Sequence, residues 1–197
     1  SGQLPVAFEE TELRSVGASL GSEALSTSLY AGLIGIILVM VYMILFYRLP
    51  GFISCIALVA YTAIFGIVLA ATKITLSLPG IAGIILTVGM AVDSNVIIYE
   101  RIKEELRSGK TLRASVKAGF SRAFTAILDA NVTTLIAAVV LWYYGTGSVQ
   151  GFAKTLFIGV IISLFTALVV TRVLLYAFVE FKASPKLFGA RSNSSVQ

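Results

Sequence analysis

The chain has 197 residues, 57% of them hydrophobic and only 13% charged, with a mean hydropathy of +0.94 and a net charge of +5. A soluble domain carries roughly 25% charge, so this is the composition of a membrane protein. The single cysteine, Cys55 in an apolar run, and the lack of histidine exclude a disulfide framework, a Cys-based metal site and the usual neutral-pH base.

Residues 1–28, SGQLPVAFEETELRSVGASLGSEALSTS, are polar, acidic and turn-rich, and read as the external tail of a preceding folded domain. No signal-peptide pattern is present, because the first apolar run starts far into the chain and others follow it. A membrane helix needs roughly 20 mainly apolar residues. Five stretches qualify: 29–47, 52–72, 78–98, 123–144 and 152–176. The Pro-Gly turn at Arg48–Gly51 makes the first two an antiparallel pair. Short connections at 73–77 and 145–151 do the same for the second and third spans and for the fourth and fifth. Gly145-Thr146-Gly147 suits a flexible turn better than a nucleotide loop.

Charge predicts the orientation. The first turn, the connection 99–122 and the tail 177–197 must share one side with the end of the fifth span. That side holds Arg48, Arg101, Lys103, Arg107, Lys110, Arg113, Lys117, Arg122, Arg172, Lys182, Lys186 and Arg191, which is 12 of the 15 basic residues. Arg14, Lys73 and Lys154 lie opposite. The basic side is expected in the cytoplasm and the N-terminal segment outside. An odd number of spans then implies one further helix ahead of the external segment, as in a fragment of a longer protein. The basic bias is thus topological, and no nucleic-acid partner is implied.

Within 99–122, residues 99–107 prolong the third helix beyond the membrane, with Ile102 and Leu106 an apolar i,i+4 pair and Glu100 in reach of Lys103. Ser108-Gly109 supplies a stop and Thr111 an N-cap. Leu112, Val116, Phe120 and Phe124 then recur every fourth residue, with Lys110, Arg113 and Lys117 off the stripe. This predicts a short amphipathic helix at the interface between the third and fourth spans, as a lipid anchor or a partner surface.

Polar residues inside the spans carry the functional signal. In GMAVDSNVIIYERIKEEL (89–106), Asp93 lies seven residues before Glu100, or about 10 Å inside the cytoplasmic edge. Asp129 lies seven residues after Arg122 on an oppositely directed helix, at similar depth. A charge at a helix centre costs at least ~2.5–3.5 kcal/mol, so such groups face the bundle interior or a water cavity. Asp93, Ser94 and Asn95 fan over about 200° of their helix, which makes the third span the central one. Gly83, Thr87, Ala91 and Asn95 form one small or polar row; Thr125, Asp129 and Thr133 another; Asn131 and Thr134 a third; Gly159, Ser163 and Thr166 a fourth. Such rows are ordinary membrane packing seams. The carboxylates say more: no basic residue is expected at their depth, since Arg172 would snorkel to water. A carboxyl able to gain and lose a proton there suits a proton relay, with Asp93 its bearer; the alternative is a fixed hydrogen-bonding post, for which Asp129 is the stronger candidate. The sequence holds no phosphate loop, nucleophile–base pair or metal cluster, so neither enzyme chemistry nor a cofactor is expected.

GMAVDSNVIIYERIKEEL, ILDANVTTLIAAVVL (127–141), GTGSVQGFAKTLFIGVIISLFTALVVTR (145–172) and LPVAFEETELRSVGASLGSEAL (4–25) together resemble the SecD side of the SecD/SecF family of protein-export membrane proteins, in the RND superfamily. The resemblance covers nearly the whole chain. It implies an all-α fold: five helices of a six-helix RND-type half-bundle, with a first helix and most of an external domain missing. It implies a place beside the SecYEG translocon and its accessory membrane subunits, in the bacterial or archaeal cytoplasmic membrane, coupling proton or sodium flow to late steps of preprotein translocation. Asp93 matches the aspartate to which the family assigns ion transport; Asn95, Asp129, Asn131, Thr133 and Thr134 are possible supporting polar residues. SecF would supply a second aspartate and an arginine. Without the external domain that grips preprotein, this chain would not complete a transport cycle alone. Two other readings stay open: half of another RND-type exporter, of lipids or small molecules, and a non-transporting scaffold that docks SecF.

Overall fold

The computed structural model describes residues 18–74 and 76–180, with side chains placed from Glu23 to Val179. The N-terminal tail before Ala18, with Arg14, and Lys182, Lys186 and Arg191 lie outside these residues. Helix α1 spans Ala18–Tyr47, α2 Leu49–Thr72, α3 Leu78–Arg107, α4 Leu112–Tyr144 and α5 Gly147–Phe165. A π-helical segment, Thr166–Val170, joins α5 to α6, Thr171–Glu180, without a break. Five rods are long and apolar enough to cross a membrane, α5 and α6 forming one of them.

The termini follow local chemistry. Proline sits in the first turn of α2 (Pro50) and of α3 (Pro79), where its missing N–H costs nothing. Ser77 caps α3 by accepting from the Gly80 N–H at 3.2 Å, and Thr111 caps α4 by accepting from Ala114 N–H at 3.4 Å. After α3, Ser108 N–H donates to the Glu104 carbonyl and Gly109 takes a left-handed φ of 85°. The α1–α2 turn is tighter than expected, a single residue, Arg48, at φ 50°. Gly51 is obligatory there, because a Cβ would lie 2.0 Å from the Met43 carbonyl oxygen.

Other boundaries differ from the sequence reading as well; α5, for one, starts at Gly147 rather than at residue 152. α1 begins at Ala18, so the polar residues 18–28 are helical and continuous with the first span. The amphipathic helix expected over 112–122 is no separate element: α4 runs unbroken to Tyr144. Leu112, Val116 and Phe120 of its stripe pack into the core, while Phe124 stands exposed. Val116 and Phe120 are buried in one core with Ile102, and a Cβ on Gly119 would lie 2.6 Å from the Ile102 side chain. With no breaker between Phe120 and Ala123, the helix simply continues.

α3 is the central helix, as its polar arc predicts. It packs most extensively on α5, then on α4, while α1 packs mainly on α2. The α3–α5 contact is close because glycine and threonine interdigitate reciprocally: Gly83 faces Thr155 and Gly159 faces Thr87, where added Cβ atoms would come within 2.5 and 2.6 Å. Thr155 Oγ1 donates to the Gly80 carbonyl across this seam at 3.0 Å. Small residues permit such approach in lipid, where apolar surface alone gives helices no reason to associate.

At the basic end, Ser54 of α2 donates to the Tyr99 hydroxyl at 2.9 Å, and Lys103 lies 4.1 Å over the Tyr47 ring while pairing with Glu100 at 3.1 Å. Buried Glu105 ties the α3–α4 turn, paired with Lys110 and, at 2.7 Å, with Arg122.

Candidate functional site

The Gly119–Ile102 contact sets the register of α4 on α3. Asp93 is nine residues inward from Ile102, and Asp129 ten residues inward from Gly119 on the antiparallel neighbour. The two carboxylates therefore differ in depth by about one residue's rise, ~1.5 Å.

Their neighbours divide sharply. Val92, Ser94 and Asn95 are buried, whereas Asp93 between them is exposed on the surface of this chain. The expected row Gly83, Thr87, Ala91, Asn95 is buried throughout and faces the α3–α5 seam, and so is the row Gly159, Ser163, Thr166. The row Thr125, Asp129, Thr133 is exposed throughout. Asn131 is buried and donates to the Ile127 carbonyl at 2.7 Å, while half-buried Thr134 donates to the Ala130 carbonyl at 3.0 Å. Thr133 donates to the backbone carbonyl of Asp129, not to its carboxylate. Among the described residues, neither the Asp93 nor the Asp129 carboxylate has a hydrogen bond or ion pair. A polar surface at this depth is tolerable only if protein or water covers it.

One interhelical bond lies immediately beside Asp93. Thr171 Oγ1 donates to Asn95 Oδ1 at 2.9 Å, with both residues buried. The π segment makes this possible. The Thr171 N–H donates to the carbonyl of Thr166, five residues back, so Thr171 stacks over Thr166 on the buried face. A continuous α-helix at 100° per residue would set them about 140° apart. π segments of this kind recur at functional sites.

The sequence reading missed this feature, since no residue signature marks a π turn. It also misplaced Arg172. The Thr171–Asn95 bond brings the Arg172 backbone to within about one helical turn of the Asn95 level. A basic residue of this chain therefore does start near the depth of the carboxylates. Its guanidinium lies 5.8 Å over the Tyr176 ring, one turn toward the basic end, so the side chain itself snorkels as expected.

Comparison with known proteins accords with this arrangement. Residues 3–180 match the family described as protein export membrane protein SecD/SecF, C-terminal. Protein translocase subunit SecD of Acidaminococcus fermentans is 53% identical over 98% of this chain and 46% of its own length. That of Synechocystis is 52% identical over 95% of the chain and 40% of its own length. The chain thus spans less than half of these relatives. A crystal structure of SecDF, described as a translocon-associated membrane protein from Thermus thermophilus, superposes with a TM-score of 0.83 at 40% identity, over 86% of this chain and 24% of that one.

Proposed function

Given that this chain belongs to the SecD/SecF family of protein-export membrane proteins, we propose that it is the transmembrane part of a SecD-type translocase subunit, coupling proton or sodium flow to late steps of preprotein translocation. The observation that carries this reading is Asp93: an exposed carboxylate at membrane depth, flanked by buried residues, with no partner among the described residues. A carboxyl so placed is open to exchange with water and to a partner group on another protein surface.

In this reading Asp93 is the ion-coupling group, and Asn95 with Thr171 fixes the backbone beside it. Asp129, Thr133 and Thr125 form a second polar face, with Asn131 and Thr134 as supporting groups. Those uncovered faces of α3 and α4 turn toward SecF, and the pair works beside SecYEG and its accessory subunits. The basic ends of α3, α4 and α6 lie in the cytoplasm, with residues 1–28 outside and 177–197 inside. The rival in which the aspartates are posts between helices of this chain finds no such bond among the described residues.

The test is secretion into membrane vesicles by the full-length protein, with a proton or a sodium gradient imposed. Asp93→Asn is expected to preserve assembly and abolish gradient-dependent stimulation, and Asp129→Asn to give a milder defect. Stimulation at wild-type level by Asp93→Asn would sink the relay; the gradient that stimulates identifies the ion.

A further inference from the structure

A second site lies outside the polar seam. At the basic end, α4 and the π–α6 rod enclose a cleft of about 300 Å³ lined by Lys117, Phe120, Ser121, Phe124, Leu168 and Arg172. Two cations from different helices, with a serine hydroxyl, thus converge on an apolar floor. Among the described residues, neither Lys117 nor Arg172 has a carboxylate partner, although nearby Lys110 and Arg122 both pair with Glu105. Among the described residues Arg172 lies over the Tyr176 ring, an interaction that leaves the N–H groups of its guanidinium available to donate. No acid is found among the described residues that line the cleft.

The floor identifies the occupant. Phe120 is buried, but Phe124 is 46% exposed, and Phe165, Val169 and Val173 on the facing rod are exposed as well. The cleft therefore opens onto an apolar surface along the membrane-spanning rods, with its cations at one end. A free anion would use the cations and leave that surface idle. An amphiphile with an anionic head and hydrocarbon tail uses both.

We propose that this cleft binds the phosphate of an anionic phospholipid, held by Lys117, Ser121 and Arg172, with an acyl chain descending along Phe124 and the exposed face of the π–α6 rod. Arg172 supplies a rigid, forked donor and Lys117 a mobile point charge, a combination suited to a phosphodiester at the membrane surface. The inference stands on the cleft alone and does not depend on ion coupling.

Native mass spectrometry of the delipidated full-length protein, with phosphatidylglycerol or phosphatidylcholine added, tests it. The wild type is expected to retain phosphatidylglycerol preferentially. The preference should fall roughly fivefold for each of Lys117→Gln and Arg172→Gln, and stay unchanged in Lys73→Gln, a basic residue at the opposite end. Lys117→Arg should keep it. Should Arg172→Gln misfold, Lys117→Gln at an exposed position still reads the site. An unchanged preference in Lys117→Gln overturns the proposal. So does displacement of the lipid by millimolar inorganic phosphate, which would assign the cleft to a free anion. Equal retention of both lipids would mean that Lys117 and Arg172 select no anionic headgroup, and overturns it too.

Discussion

Helices α1 and α3 are each thirty residues long, and both can cross a membrane, yet they are used in opposite ways. In the most apolar stretch of α1 only 6% of residues are buried, against 44% in α3. The greasier helix is the peripheral one. Leu29, Leu33, Leu38, Leu45 and Phe46 of α1 all stand exposed, while Thr87, Ser94 and Asn95 of α3 are buried. In water this would be inverted. In lipid, burying a leucine gains little, because hydrocarbon is already its solvent; close contact between small residues and hydrogen bonds between helices decide who sits in the middle.

That contrast can be broken experimentally. The largest effect is expected at Asp93 of α3, whose change to asparagine removes a function and leaves the fold; a variant that loses both would make Asp93 a packing residue like its neighbours. Next comes Gly159→Val, whose Cβ would lie 2.6 Å from Thr87 in the seam. Overpacking there should destabilise the bundle by about 1–3 kcal/mol in a detergent-unfolding titration, whereas Gly35→Val on α1, with open space around its position, should not. A smaller loss, about 0.6 kcal/mol of coupling, is expected between Asn95→Ala and Thr171→Val in a double-mutant cycle read by the same titration. Additive single effects would show that the bond contributes nothing beyond packing. The smallest effect belongs to α1: Leu38→Ala and Leu45→Ala should leave the unfolding midpoint unmoved, and a shift as large as that of Gly159→Val would refute the peripheral role.

Most of the membrane architecture is legible in the sequence because spans in lipid must satisfy their own backbone, so a run of apolar residues can hardly be anything but helix. The turn residues act locally too: Gly109 and Thr111 stop α3 and cap α4 as expected, whereas Pro50 and Gly51, expected in the turn itself, open α2 instead. The 112–124 stripe is the instructive failure. Its periodicity reports an apolar face, and a face cannot say whether it meets lipid or a neighbouring helix. The Gly119–Ile102 contact turns Val116 and Phe120 onto α3 and leaves Phe124 outside.

The candidate site divides in the same way. From the sequence, Asp93 and Asp129 can be placed at equal depth, since helical rise is fixed, and α3 can be made central, since a 200° polar arc cannot face lipid. Which polar residues turn inward cannot be read there, because adjacent positions share composition but not neighbours. Only the tertiary structure sets Asn95 against Thr171, leaves Asp93 on the outside of the bundle, and brings Arg172 near that level. The physical reason is a π turn: five residues of unremarkable sequence, TALVV, rotate everything that follows them. The irregular turn is held in the bundle by contacts the isolated helix lacks, the Asn95–Thr171 bond and the burial of Ala167 and Leu175, so the fold, not the segment, selects it.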